Sequence, residues 1–246
     1  GTPTDIWMPS TNNIKPQIAD QVAAGYFRNF ADNTFELSME AYYKRMDNLI
    51  DYKNGADLFF NETVESELVY GDGKAYGVEL LLRKNSGRLK GWVSYTLSRT
   101  LREFDGVNEG ASYPARQDRI HDVAVVGMFD LTPRWNISAT WVFNTGDAAT
   151  FPSGSYQFED TSIPYYTERN GYRFPNYHRL DLGATYLARK TERFESSWNF
   201  SVYNAYGRQN AYAISFSEKE NQPGQNEATQ IALFRWVPSV TWNFKF

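Results

Sequence analysis

The closing stretch of the chain, Phe234 to Phe246 (FRWVPSVTWNFKF), limits its possible folds more than any other segment. Every even position is apolar or proline: Phe234, Trp236, Pro238, Val240, Trp242, Phe244 and Phe246. Between them stand Arg235, Val237, Ser239, Thr241, Asn243 and Lys245. Successive side chains of a strand point to opposite faces, so a period of two describes a β-strand with one apolar and one polar face. A soluble sandwich can produce that alternation. Large aromatics repeated on one face of a final strand suit a different setting better, with lipid outside and a polar lumen inside.

Composition agrees with that setting. Aromatic residues make up 17% of the 246 positions, yet the mean hydropathy is polar. A soluble core would bring abundant Leu, Ile and Val with its rings. In a membrane barrel the lipid-facing and lumen-facing residues average out, while aromatic girdles add rings at both interfaces. The longest apolar run, Val123 to Phe129, is far short of the ~20 residues a spanning helix needs. The absence of cysteine excludes disulfides and thiolate metal sites. A net charge of −4 argues against a nucleic-acid partner. The opening residues, GTPTDIWMPS, carry neither a basic n-region nor an apolar h-region, so the chain reads as mature, processed or truncated.

Period-two patterning predicts about nine strands, at 17–30, 34–52, 73–84, 88–101, 119–131, 134–146, 174–189, 196–217 and 229–246. In the sixth, Trp135, Ile137, Ala139, Trp141 and Phe143 alternate with Asn136, Ser138, Thr140 and Asn144. The fifth is weaker, because Ala124, Val126 and Met128 make its second face partly apolar. The eighth is expected to run long, interrupted by a bulge near Tyr206–Arg208. Short turns near Ala31–Asn33, Asn85–Gly87, Thr132–Arg134 and Arg189–Glu195 alternate with long connections at 53–72, 102–118, 147–173 and 218–228. Tight turns on one side and long loops on the other are the layout of an all-β, antiparallel, up-and-down transmembrane β-barrel. Single-chain bacterial barrels have even strand numbers. An odd count therefore means either that one strand, the fifth, is miscounted, or that the chain begins inside a loop of a larger barrel. The second is the expectation adopted here, with residues 1–246 as the C-terminal part of one barrel domain.

Several segments carry a family resemblance. Tyr203 to Tyr212 (YNAYGRQNAY) and Pro238 to Phe246 (PSVTWNFKF) resemble the last strands of TonB-dependent outer-membrane transporters, especially those of Bacteroidota. Tyr113 to His121 (YPARQDRIH) is similar to a loop-to-strand junction of that family. So are Asn144-Thr145-Gly146 with Pro152, and Arg173 to Asp181 (RFPNYHRLD). Met39 to Tyr52 resembles another recurrent strand. The resemblance implies a barrel of about 22 strands in the bacterial outer membrane, with an N-terminal plug in its lumen and energy supplied by TonB. Neither plug nor TonB box occurs in this sequence. No cofactor is implied. One branch of the family, the SusC-like importers of oligosaccharides or peptides, works with a surface lipoprotein lid; another takes siderophores, haem or cobalamin.

Site expectations follow. Val240, Trp242, Phe244 and Phe246 form a candidate assembly signal, since the barrel-assembly machinery recognises final strands ending in Phe; the same rings can simply face lipid. Tyr156, Tyr165, Tyr166, Arg169 and Tyr172, in the longest loop, are candidate ligand contacts, because rings stack on sugars or cyclic groups and arginine pairs with anions. Packing of that loop against its neighbours is the plainer reading. Arg116, Asp118, Arg119 and His121 are candidate lumen or plug contacts, with an ordinary solvated wall as the alternative. An enzyme is not expected: neither G-x-S-x-G nor H-E-x-x-H occurs, and the two histidines, His121 and His178, stand in separate strand starts. A barrel enzyme, an adhesin or a scaffold are the competing classes.

Overall fold

The computed structural model describes residues 9–56, 64–159, 161–219 and 226–246. Nine long strands follow one another in chain order through a single antiparallel sheet. They are β1 (Ile18–Phe30), β2 (Phe35–Tyr52), β3 (Leu68–Lys84), β4 (Leu89–Phe104) and β5 (His121–Asp130), then β6 (Trp135–Asn144), β7 (Tyr177–Lys190), β8 (Glu195–Tyr203) and β9 (Val237–Lys245). The weak fifth strand is present. Four tight turns join β1 to β2, β3 to β4, β5 to β6 and β7 to β8, and the long connections all lie at the other end. The first turn places Ala31, Asp32 and Asn33 in the left-handed region, with φ of 52, 51 and 62°; Asn and Asp tolerate it because their short side chains bond locally.

Two predicted strands end elsewhere than their alternation suggests. The eighth does not run on to residue 217: β8 stops at Tyr203. Asn204 takes φ 53° and buries its side chain, which donates to the carbonyls of Arg208 (2.8 Å) and Arg235 and accepts from the Arg208 N–H (3.2 Å). That network turns the chain out of the sheet. Ala213–Glu218 then pairs with Asn226–Ile231 in a separate hairpin, so the predicted ninth strand loses its first residues too. The start of the chain up to residue 8 lies outside the described residues.

Register shows what kind of sheet this is. The row of paired residues that begins at Phe35, beside a tight turn, passes through Lys84, Gly91, Gly127, Ala139, Leu182 and Val202 to Pro238. Pro238 lies at the long-loop end of β9. The pairing therefore climbs from one end of the sheet to the other, the stagger that accompanies strand tilt in a barrel wall. The sheet is open at β1 and β9, and both edge strands are exposed along their whole length.

The same registers put all the apolar alternations on one face. Met39, Leu80, Val125, Ile137, Leu182, Phe200 and Val240 share it, while Ser38, Ser94, Thr140, Thr185, Asn199 and Thr241 share the other. Among the described residues nothing covers the apolar face; Val22, Leu182 and Val240 are 77, 44 and 63% exposed. A continuous exposed apolar surface of this size belongs against lipid. Rings border it at both ends. At the turn end Phe30 stacks on Phe35 (5.3 Å), Trp135 packs on Tyr186 (4.8 Å) and Trp198 stacks on Trp242 (6.0 Å). At the loop end Tyr43 stacks on Tyr76 and Trp141 on Phe143. From Phe35 to Tyr43, or from Trp135 to Phe143, the strand advances about 26 Å at ~3.3 Å per residue. A tilt of roughly 40° reduces this to about 20 Å, near the height of an outer-membrane apolar band. The Trp242 indole, which lipid cannot satisfy, donates to Ser196 Oγ at 2.8 Å.

Burial is concentrated at the loop end. Leu49, Phe104, Val107 and Tyr113 form a cluster, with Met46 and Val69 packed on it. Gly71 makes room for it: a Cβ there would stand 2.7 Å from the Phe104 ring. This cluster braces the loops that build the site.

Candidate functional site at the loop end

Two buried or half-buried carboxylates tie the loops together. Asp118 is 1% exposed. Its Oδ2 faces Arg99 Nε at 3.4 Å and is bonded by Arg173 Nη2, while its Oδ1 accepts from the Thr100 N–H at 2.5 Å. Arg173 also donates to the carbonyls of Asp118 (2.6 Å) and Gly146 (3.1 Å). One carboxylate thus holds β4, the segment before β5 and the segment before β7. Asp51, at the top of β2, accepts from Arg169 Nη1 at 3.1 Å and from the Tyr113 hydroxyl at 3.4 Å. Burial, with the Asp51 charge adding to it, pushes the Tyr113 hydroxyl pKa up. Arg169 is further engaged by Asn54 (2.8 Å), and its backbone exchanges two bonds with the Asn108 side chain.

Between these ties lies a cavity of about 840 Å³ at the loop end of β6 and β7. Arg116, Arg119, Tyr166, Tyr177 and Tyr212 line it, with Phe151 as a hub of rings. Phe151 contacts Tyr172 (5.7 Å), Phe174 (5.6 Å) and Phe216 (5.1 Å). Arg119 is bound by Asp147 through Nε (2.6 Å) and Nη2 (3.3 Å), a bond that raises its pKa further. Arg116 is exposed and, among the described residues, meets no carboxylate. The cavity therefore presents one free guanidinium, tyrosine hydroxyls and aromatic faces. It can bind an anionic, partly aromatic molecule.

The family model for the TonB-dependent receptor-like β-barrel matches residues 2–205. The chain belongs to that family. As a receptor barrel of this kind it resides in the bacterial outer membrane, and its apolar face is the lipid-facing one. Solved structures with the same fold include the ferric-catecholate import receptor Fiu from E. coli K12, at 14% identity and TM-score 0.57, over 95% of this chain and 29% of that one. The ferripyoverdine receptor of Pseudomonas aeruginosa, solved with ferripyoverdine bound, matches at 11% identity and TM-score 0.60. That match covers 94% of this chain and 28% of the receptor. The chain spans under a third of the length of either. No curated protein matches it at the sequence level.

The receptor's expected site residues separate in space. Arg116 and Tyr166 line the cavity, and Tyr172 reaches it through the Phe151 ring. Tyr156 and Tyr165 lie in the Gly154–Phe158/Thr161–Tyr165 hairpin, half exposed. The Arg169 guanidinium is directed at Asp51 and Asn54 instead. Asp118 is a loop tie, and Arg119 pairs with Asp147. His121 lies opposite Leu97, in register with the apolar face, and its Nδ1 is 2.9 Å from the Tyr95 hydroxyl. His178 likewise lies opposite Phe143, bonded to Tyr206 at 2.7 Å. Val240, Trp242 and Phe244 share the apolar face of β9, and Phe246 packs on Phe194 (5.5 Å) and Phe244 (5.6 Å).

A polar-face cluster escaped the sequence reading. The Arg179 guanidinium sits 4.2 Å over the Tyr203 ring and donates to the hydroxyls of Tyr177 (2.8 Å) and Tyr203 (2.9 Å) and to Asp181 (2.9 Å). The spacing Tyr177, Arg179, Asp181, every second residue of one strand, was the available signal.

Proposed function

We propose that the chain is the C-terminal wall and part of the ligand-capturing rim of a TonB-dependent importer. Such a receptor takes a scarce anionic nutrient from outside and passes it through a plugged barrel. One observation carries the reading: a single sheet joins a lipid-facing apolar band to a cavity lined by a free arginine and tyrosines at its long-loop end. The remaining wall strands pair with the exposed edges of β1 and β9, and a plug occupies the polar side, where the Arg179 cluster meets it. The sequence resemblances favour the Bacteroidota branch. The two solved receptors act on ferric catecholates and ferripyoverdine. An iron chelate of that kind would offer negative charge to Arg116 and flat surface to Tyr166, with Tyr156, Tyr165 and Tyr172 on the approach.

Uptake of a labelled ferric catecholate by cells whose one catecholate importer is the full-length protein tests this. Uptake should need TonB. Arg116→Ala should weaken ligand binding by about tenfold, the loss of one charge-assisted pair. Uptake that persists without TonB, or binding indifferent to Arg116→Ala and Tyr166→Ala together, would remove the proposal. Co-purification with a surface lipoprotein would move the substrate to oligosaccharides or peptides and the family branch to the SusC-like one.

A further inference from the structure

The tight-turn rim carries cations that the protein does not neutralise. Three acids there are taken: Glu36 faces Arg83 (3.5 Å), Asp130 faces Lys90 (3.2 Å) and Glu195 faces Lys190 (3.1 Å). Asp32 and Glu192 are what remain. Against them each turn presents further positive charge. Arg28 precedes the first and Arg134 closes the third, while Arg189 and Arg193 flank and occupy the fourth. All four side chains are exposed and, among the described residues, bond to no acid. In the second turn Arg88 donates to the carbonyls of Asp130 (3.0 Å) and Leu131 (2.8 Å), and Lys84 to those of Ser86 and Leu89, so neither charge is cancelled. A chain of net charge −4 thus carries a net positive charge on this one rim, where basic residues outnumber acids.

Position decides what this collar meets. Arg28 shares the apolar face with Tyr26, Arg189 shares it with Ser196, and Arg88 lies 5.0 Å over the ring of Phe129, which pairs with Ile137 on the apolar face beside the third turn. The collar therefore sits directly beneath the lower aromatic girdle, at the depth of the lipid headgroups on the turn side. Guanidinium groups match phosphate geometry, and a negative leaflet attracts basic residues held near its surface.

We infer that the turn-side collar binds the phosphates of anionic phospholipids in the adjoining leaflet and seats the barrel wall on them. Each turn supplies at least one donor, so lipids are held around the rim rather than at one point. The inference rests on the membrane-facing geometry and is independent of what the receptor transports.

Trp135, Trp198 and Trp242 lie at this rim and report on the lipids beside it. The full-length receptor is placed in vesicles with increasing brominated phosphatidylglycerol or, separately, brominated phosphatidylcholine, and tryptophan quenching is followed. The unmodified receptor should prefer the anionic lipid by about fivefold, the effect of one phosphate contact near a charged surface. One-molar salt should abolish most of that preference. Arg28→Gln, Arg134→Gln, Arg189→Gln and Arg193→Gln combined should bring it to about one, while Lys74→Gln, at the loop end, leaves it unchanged. Equal quenching by both lipids in the unmodified receptor would overturn the inference. So would a combined variant, shown folded by its heat-modifiable gel mobility, that keeps the preference. If that variant fails to fold, the salt titration of the unmodified receptor decides alone, and a salt-insensitive preference counts against the collar.

Discussion

Asp118 organises more of the loop end than any other single residue. Its carboxylate is out of water and is neutralised by guanidinium groups from two distant segments, Arg99 on β4 and Arg173 before β7. Asp118→Asn keeps the shape but leaves those cations without a counter-charge. The local cost should be about 3–5 kcal/mol, the usual result of breaking a buried pair from one side. Hydrogen exchange should show amides of residues 145–176 opening sooner, with β6 unchanged; equal protection in both proteins would contradict this. Tyr113 gives a pH dependence of definite sign. Its hydroxyl pKa is raised from 10.0, so folding favours the protonated form. The stabilisation is complete below pH 10 and is lost as pH climbs through the higher folded value. Loop protection should therefore fall on the alkaline side of pH 10, and Tyr113→Phe should remove that part of the fall. Neither role could be read from YPARQDRIH alone. Asp118 and Arg119 are neighbours of similar polarity there, and only partners far along the chain turn one inward to Arg173 and the other to Asp147.

At the scale of the strand, alternation was enough to place all nine wall elements, because each face meets a uniform medium. Lipid demands apolar side chains at every second position, and the polar side accepts the rest. Leu182 and Ser201 expose that rule on neighbouring strands. Leu182→Arg puts a charge in mid-band and should cost about 2–4 kcal/mol, whereas Ser201→Arg, on the polar face, should cost about 0–1 kcal/mol. Denaturant titration of the detergent-solubilised receptor measures both, and similar costs would mean the faces are wrongly assigned. Strand ends were less legible. The alternation of Trp198, Phe200 and Val202 predicts that β8 continues to residue 217, with only a bulge near Tyr206–Arg208. What ends it is Asn204, held left-handed by carbonyls of Arg208 and Arg235 that are remote or not yet regular. Period counts side chains; it does not see a hydrogen bond that rotates the backbone.

Across the whole molecule, the staggered register from Phe35 to Pro238 and the exposed edges of β1 and β9 describe a barrel-type wall that is open at both edges. Phe246 is 87% exposed at the end of the last one, beside Phe194 and Phe244. If that ring is read by the barrel-assembly machinery, deleting Phe246 from the full-length receptor should lower its folded amount in the outer membrane severalfold while leaving the stability of assembled barrels within about 1 kcal/mol. Undiminished assembly would reduce Phe246 to a girdle ring. The sequence by itself determined the strand class, the strand order, the lipid-facing side and the family, since all of these follow from local chemistry repeated at a period of two and from short motifs. The tertiary structure alone decided which charges were spent. It committed Arg169 to Asp51 and Asp118 to Arg99 and Arg173, left Arg116 facing a cavity, and collected unpaired cations on the turn rim. The physical reason is that a charge's role depends on what stands within a few ångströms of it, and in a staggered wall those neighbours come from segments tens of residues away.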